Sequence, residues 1–329
     1  MNSYIKQETP MYAFIEPTTK CNAQCQMCER TFIDRKIGNM NMENFIYTVE
    51  QLPNVKEVAL QGLGEPLLNP HFFDMVRYLK EKNIRVSFNT NGSLLNNRNI
   101  EKIFNLSVDE LRISYDAVTK EIFEKIRQGL KFEKITENII KTAKYKKELR
   151  NTHTKLTLTM VGMKINFHEI PKIVDFAIKN SFNKIELLNL YIMNKGIATF
   201  DNSLLSLGIE KVEKMINLIS KKCKKSNIEF LSPLLEPYEA YRHILNCKWP
   251  FEGVNITWDG YVTPCCVISN PAVLNLGNIF KISIDKIWHS PKYEDFRRAF
   301  VNKIIPLECK ACLESRHILK NFLEVDKND

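Results

Sequence analysis

Hydrophobic and polar residues along the first two thirds of the chain switch repeatedly between two periods. Short runs rich in β-branched and aromatic residues read as strands at Tyr12 to Glu16, Glu57 to Gln61, Arg85 to Thr90, Glu110 to Tyr115, Lys155 to Val161 and Lys184 to Leu190. Between them apolar residues recur at helical spacing, predicting helices over Met42 to Gln51, Phe72 to Glu81, Asn99 to Phe104, Phe132 to Leu149 and Ile170 to Asn180, with Ile209 to Lys225 after the last strand. Six strand-then-helix units in succession predict an α/β fold with parallel strands, because each parallel crossover needs a helix-length connection. Six units suit a partial (β/α)6 barrel, since a closed eight-stranded one typically takes about 250 residues by itself.

The rhythm stops near Ser226. Ser232-Pro233 and Glu236-Pro237 punctuate the chain, after which cysteine, tryptophan and glycine accumulate and helical periodicity returns only at Ile284. The expected organisation is a core over residues 1–226, a linker over 227–243 and a small cysteine-rich α+β domain over 244–329.

Composition narrows the class without naming it. With 44% hydrophobic and 26% charged residues, 11 Gly and 13 Pro in 329 residues, collagen-like and wholly disordered chains are excluded. No apolar run is long enough for a membrane-spanning helix, and the first ten residues lack the apolar centre of a secretory signal, so a cytoplasmic protein with no membrane partner is expected. Nine cysteines in that compartment point to metal rather than to a disulfide framework. The net charge of +9 is densest at Lys141, Lys144, Lys146, Lys147 and Arg150 and at Lys221, Lys222, Lys224 and Lys225. Both clusters fall in helical segments without interleaved aromatics, which favours solvated helix faces over a nucleic-acid site.

Cys21, Cys25 and Cys28 form C-x3-C-x2-C directly after the first predicted strand. Three thiolates rather than four are informative: structural zinc closes its fourth position with protein, and His153 or His168 could supply it, whereas a [4Fe-4S] cube on three cysteines leaves one iron open for an exogenous ligand. Downstream, Gly62-Leu63-Gly64-Glu65-Pro66 follows the second strand, Thr90-Asn91-Gly92 ends the third, Ser114-Tyr115-Asp116 ends the fourth, and Arg127 lies in Phe123-Glu124-Lys125-Ile126-Arg127-Gln128-Gly129.

These motifs, in this order at strand ends, resemble the radical S-adenosylmethionine (SAM) superfamily. The resemblance implies that Cys21, Cys25 and Cys28 hold a [4Fe-4S] cluster that binds SAM. It places Gly64 and Glu65 at the SAM amino group, Asn91, Ser114 and Asp116 at its ribose and carboxylate, and Arg127 at the carboxylate. Leu63 between the glycines departs from the commonest Gly-Gly-Glu form but keeps Gly64-Glu65 as the contact pair. Met27, in the loop, is suited either to the adenine or to simple core packing.

A second set lies beyond residue 244. Cys247, Cys265, Cys309 and Cys312 form C-x12-G-x4-C followed by C-x2-C, and four thiolates can enclose a cluster completely. Trp258-Asp259-Gly260-Tyr261 reads as a hairpin turn that would bring Cys247 and Cys265 together on paired strands, and a zinc ribbon is the alternative occupant. With Leu276-Gly277-Asn278-Ile279, Ile287-Trp288-His289-Ser290 and Phe296-Arg297, the region resembles the SPASM auxiliary-cluster domain. No cysteine follows Cys312, which implies the shortened twitch form with one auxiliary [4Fe-4S] cluster. Cys223 and Cys266 remain outside both sets.

The resemblance implies reductive cleavage of SAM to a 5′-deoxyadenosyl radical that abstracts hydrogen from substrate, with the auxiliary cluster carrying electrons. The leading expectation is oxidation of a small hydroxylated molecule, a sugar or aminocyclitol. The alternatives are a peptide or protein maturase and a non-catalytic metal-stabilised nucleic-acid-binding module. An acidic flavodoxin or ferredoxin is the expected reductant, drawn by the basic surface.

Overall fold

The computed structural model describes residues 8–232, 237–309 and Cys312, with Pro237 to Ala240 described by backbone course alone. The strands are β1 (Tyr12–Ile15), β2 (Glu57–Leu60), β3 (Arg85–Thr90), β4 (Glu110–Ser114), β5 (Lys155–Gly162), β6 (Lys184–Asn189), β7 (Glu229–Leu231), β8 (Gly253–Ile256), β9 (Tyr261–Thr263) and β10 (Gly277–Asn278). The helices are α1 (Met42–Glu50), α2 (Phe72–Glu81), α3 (Asn97–Asn105), α4 (Lys120–Ile126), α5 (Phe132–Glu148), α6 (Ile170–Lys179), α7 (Ile209–Lys225), α8 (Pro237–Leu245), α9 (Trp249–Glu252), α10 (Ile284–Trp288) and α11 (Pro291–Val301). This is a mixed β-sheet core flanked by helices, a partial β/α barrel, with a smaller α+β region at the C-terminal end. The chain divides into two compact units: one gathers residues up to Cys21, Asp34–Phe88 and Arg242–Cys312, the other Asn22–Ile33 and Asn89–Tyr241.

In the first unit the strands run in the order β10-β9-β8-β1-β2-β3. β1 lies parallel to β2 on one side, with Ile15 opposite Leu60, and parallel to β8 on the other, with Ile15 opposite Ile256. β9 turns back antiparallel to β8, and β10 antiparallel to β9. Ala13 and Ile15 are buried on one face of β1, while Phe14 on the other stacks on Trp249 with ring centroids 4.5 Å apart. Helix α1 starts where the Asn41 side chain accepts the Asn44 N–H, and buries Phe45 and Val49; α2 buries Phe72, Met75, Val76 and Leu79.

In the second unit β4, β5, β6 and β7 run parallel in that order. Leu111, Ile113, Leu156, Leu158, Met160, Ile185 and Leu187 are buried at alternate positions, and Glu110, Arg112, Thr157, Lys184 and Glu186 share the other face. Charges survive on that face because they pair: Arg112 donates to Glu110 at 2.8 Å, and Lys184 pairs with Glu186.

The predicted strands and helices form with ends shifted by one or two residues. Several elements escaped the pattern, among them α4, β7 and α8. Helix α4 has two turns and buries only Phe123 and Ile126, too few positions for a period to emerge. Strand β7 has three residues, and the stretch read as a linker contains it together with most of α8. Parallel pairing of β8 with β1 is a tertiary event that local pattern cannot encode.

Packing predicts a contrast in stability. Leu158→Ala, at a fully buried position, is expected to cost about 2–5 kcal/mol in urea unfolding of anaerobic protein. Leu218→Ala, on a side chain 60% exposed on α7, should stay within about 0.5 kcal/mol of wild type.

Candidate functional site

The loop leaving β1 carries the first cysteine of the C-x3-C-x2-C motif, and in the first unit its backbone is met closely by the loop after β2. A Cβ at Gly64 would stand 2.3 Å from the Thr18 carbonyl oxygen and 2.5 Å from that of Lys20, so only glycine fits. The next residue, Glu65, donates its N–H to the Lys20 carbonyl at 2.8 Å. Its carboxylate is 2% exposed and accepts the Leu67 N–H at 3.3 Å. From the other side residues 36–39 strap the loop: Thr19 Oγ donates to the Lys36 carbonyl, and Thr18 Oγ to that of Gly38 and to Asn39.

In the second unit the rest of the motif is held by the turn after α4. Gln24 donates its N–H to the Gln128 carbonyl at 2.8 Å and Gln26 to that of Ile126 at 2.9 Å. Gly129, at φ +88°, lets the two segments close, since a Cβ there would lie 3.3 Å from the Asn22 carbonyl. The Cys28 N–H donates to the Cys25 carbonyl, turning the chain between a buried Cys25 and a half-buried Cys28. Met27 packs against an apolar cluster of Ile126, Met163, Leu190 and Ala198, the core-packing alternative of its two expected roles.

Arg127, 7% exposed, donates from Nε to Asp116 at 2.6 Å; the other Asp116 oxygen accepts the Val161 N–H at 2.7 Å. Burial opposes the guanidinium charge, but Asp116 and the Cys25 and Cys28 thiolates outweigh it and raise the Arg127 pKa further. Asp116 and Arg127, each expected at SAM, therefore bind each other, and the Arg127 charge is felt together with Cys25 and Cys28. Asn91 donates to the side chain of Asn22, immediately after Cys21, and accepts from Ser93. Ser114, half-buried at the end of β4, stands in register with Thr159 and makes none of these contacts.

The second cysteine set lies within the first unit. Burial, then Cys266 and Cys312, push the Cys265 thiol well above its ordinary pKa, against the N–H groups of Ile268 and Val267. Cys309 is pushed up by burial and then by Cys312 and Cys247. Each of the four thus feels another, and Tyr293 beside them is raised by burial and by Cys265 and Cys247, against Arg297. The buried Arg297 guanidinium sits 3.8 Å from the Tyr293 ring centroid and 4.0 Å from that of Trp288, and donates from Nε to the Pro250 carbonyl at 2.8 Å. Cys247 corrects one expectation: it follows α8 rather than lying on a strand paired with Cys265, because the short α9, with Pro250 in its first turn, stands between it and β8. The turn itself forms as predicted, with Gly260 at φ +86° and its N–H donated to Thr257. Cys266 is exposed, and Cys223 is buried on α7 with its thiol pushed up by burial.

These donors suit iron–sulfur clusters. Both sets are thiols, the donor that iron–sulfur clusters take, one on each iron. Sequence reasoning missed Glu16. It ends the first strand as a buried carboxylate bound by Arg35, and its signal was a lone acid in register with Tyr12 and Phe14 on an otherwise apolar strand.

Comparison with known proteins agrees with this architecture. The sequence profile of the Radical SAM superfamily matches residues 15–177, and that of the SPASM iron-sulfur cluster-binding domain matches residues 247–313. The chain is 25% identical over 335 residues to the tungsten-containing aldehyde ferredoxin oxidoreductase cofactor-modifying protein of Pyrococcus furiosus, covering 92% of this chain and 86% of that one. It is 23% identical over 311 residues to the PqqA peptide cyclase of Gluconobacter oxydans, covering 92% and 82%. Its fold is similar to that of Streptococcus suis SuiB crystallised with the precursor peptide SuiA, at TM-score 0.71 and 18% identity, covering 89% of this chain and 67% of that one. The chain belongs to the radical SAM superfamily. It is an enzyme of the branch that carries a C-terminal SPASM domain, with a SAM-binding [4Fe-4S] cluster and an auxiliary iron–sulfur cluster as its cofactors.

Arg127→Met leaves the Asp116 carboxylate buried without its cation and should cost about 3–5 kcal/mol in chemical unfolding. Adding Asp116→Asn is expected to recover part of that loss, because no unpaired buried charge then remains at this pair.

Proposed function

We propose that the chain oxidatively modifies a peptide or protein, abstracting a hydrogen atom from it with a SAM-derived radical. The observation that carries this reading is the likeness to a peptide cyclase over 92% of the chain. The SuiB fold, crystallised with a precursor peptide, is consistent with it. In this reading Cys21, Cys25 and Cys28 hold the SAM-binding [4Fe-4S] cluster, and Cys247, Cys265, Cys309 and Cys312 hold one auxiliary [4Fe-4S] cluster. When reduced, the first supplies the electron that splits SAM into methionine and the 5′-deoxyadenosyl radical.

The chain's own residues position the reactants. The close packing of Gly64 and Glu65 on Lys20 presents backbone and carboxylate to the SAM amino group. Asn91 braces the loop through Asn22, and Arg127, held by Asp116, offsets the negative charge of Cys25 and Cys28. Asp116 spends both oxygens on this support and so acts on SAM through Arg127. A flavodoxin or ferredoxin fits as reductant. Nucleic acid does not, since the basic helix faces are laced with acids, Lys141 with Glu137, Lys144 with Glu148 and Lys222 with Asp175. Among the described residues no helix is long and apolar enough to cross a membrane.

A second reading, modification of a small molecule, is favoured by the cofactor-modifying protein of Pyrococcus furiosus. It retains the expectation of a hydroxylated substrate as the form to test against peptides.

Anaerobic reconstitution should give about eight iron atoms per chain for two four-iron cubes. With dithionite and SAM the wild type should form 5′-deoxyadenosine, followed by mass spectrometry, and Cys25→Ala should form none. A pool of synthetic peptides is expected to raise that rate above the substrate-free level. A rise with sugars, aminocyclitols or nucleotides alone would replace the peptide reading with the small-molecule one.

A further inference from the structure

A single buried carboxylate joins the loop at Gly64–Glu65 to the hairpin that leads to the auxiliary cysteines. Glu16, 2% exposed, follows β1 and donates its own N–H to the Ile256 carbonyl at 2.9 Å. One side-chain oxygen accepts from Leu63 N–H at 3.0 Å and from Arg35 Nη1 at 3.2 Å. The other accepts from Arg35 Nη2 at 2.8 Å and from Trp258 N–H at 3.3 Å. Four donors from three separate segments fill the acceptor capacity of a carboxylate. Gly62 is needed for this approach, since a Cβ there would fall 2.2 Å from Glu16 Cγ. Arg35 extends toward Asp259 at 3.8 Å, and Gly38 lies so close under the Trp258 ring that a Cβ would stand 2.2 Å from it.

The geometry points to Glu16 as a positioning residue that couples the SAM-contacting loop to the β8–β9 hairpin, and through it to Cys265 just past β9. Leu63 immediately precedes Gly64, so its N–H fixes the backbone that Glu65 continues into the Lys20 carbonyl. Trp258 opens the hairpin turn, so its N–H fixes the other end. The charge-assisted bonds are directional, and the Arg35 fork leaves the carboxylate no free rotation. A displacement of either loop therefore changes the bond made to the other, and by linkage the effect runs both ways. The inference rests on the reading that Gly64 and Glu65 contact SAM.

Hydrogen–deuterium exchange of the full-length reconstituted protein, with and without SAM, tests both. SAM is expected to slow exchange at residues 62–65 and also at 257–263. Slowing at 62–65 alone would overturn the coupling and leave the SAM contact standing. Slowing at neither segment would overturn the SAM contact itself and the coupling with it. In a second measurement Glu16→Gln, which turns an amide N–H toward the donors, should weaken SAM binding about tenfold and abolish the response at 257–263. A folded Glu16→Gln protein with wild-type SAM affinity and an intact response at 257–263 would also refute it. A purely structural role for Glu16 would lower the melting temperature without removing the remote response, and the wild-type comparison holds even if that variant does not fold.

Discussion

The contact on which the rest of the structure depends is a backbone-to-backbone approach. The loop after β2 lies against the carbonyls of Thr18 and Lys20 with no room for a side chain at Gly64. That approach positions the residues leading into Cys21, and everything else around it serves to hold it. The 36–39 strap closes one side, and Glu65 N–H seals the other through Lys20. A loop carrying reactive thiolates gains little from its own hydrogen bonds, so its precision has to come from the elements around it.

Three buried charges show how the fold tolerates ions where it needs them. Glu16 is matched by Arg35 and two backbone N–H groups, and Asp116 by Arg127 and one. Arg297 is matched by the Pro250 and Trp288 carbonyls, Glu294 and two aromatic faces. Each would be costly if left unpaired, and each lies close to a cysteine motif in the chain or in its field: Glu16 before the turn into Cys21, Arg127 with Cys25 and Cys28, and Arg297 against Tyr293, which feels Cys247 and Cys265. The structure spends its buried ion pairs on orientation, while burial of Ile113, Leu158 and Ile185 and their neighbours supplies the stability.

Much of this was legible along the chain. The strand and helix periods survive where an element repeats its buried face often enough to be read, as β3, α2 and α7 do. The C-x3-C-x2-C spacing was legible because its three cysteines are neighbours in the chain, and the radical SAM and SPASM assignments agree with the family matches. Elements that bury too few residues to set a period were not legible, as α4 and β7 show. Nor was Cys247's place after α8: the Asp259-Gly260 hairpin forms, but the four-residue α9 stands between Cys247 and β8 and leaves that cysteine outside it.

By itself, the sequence determined the period of the sheet and helices and, through short motifs, the class of the enzyme, because these are recorded in residues near one another. Only the tertiary structure decided that β8 runs beside β1, that Asp116 serves Arg127, and that Glu16 holds Leu63 and Trp258 at once. Those contacts join residues far apart in the chain, and a side chain's partner across such a distance is chosen by packing, which no local pattern records.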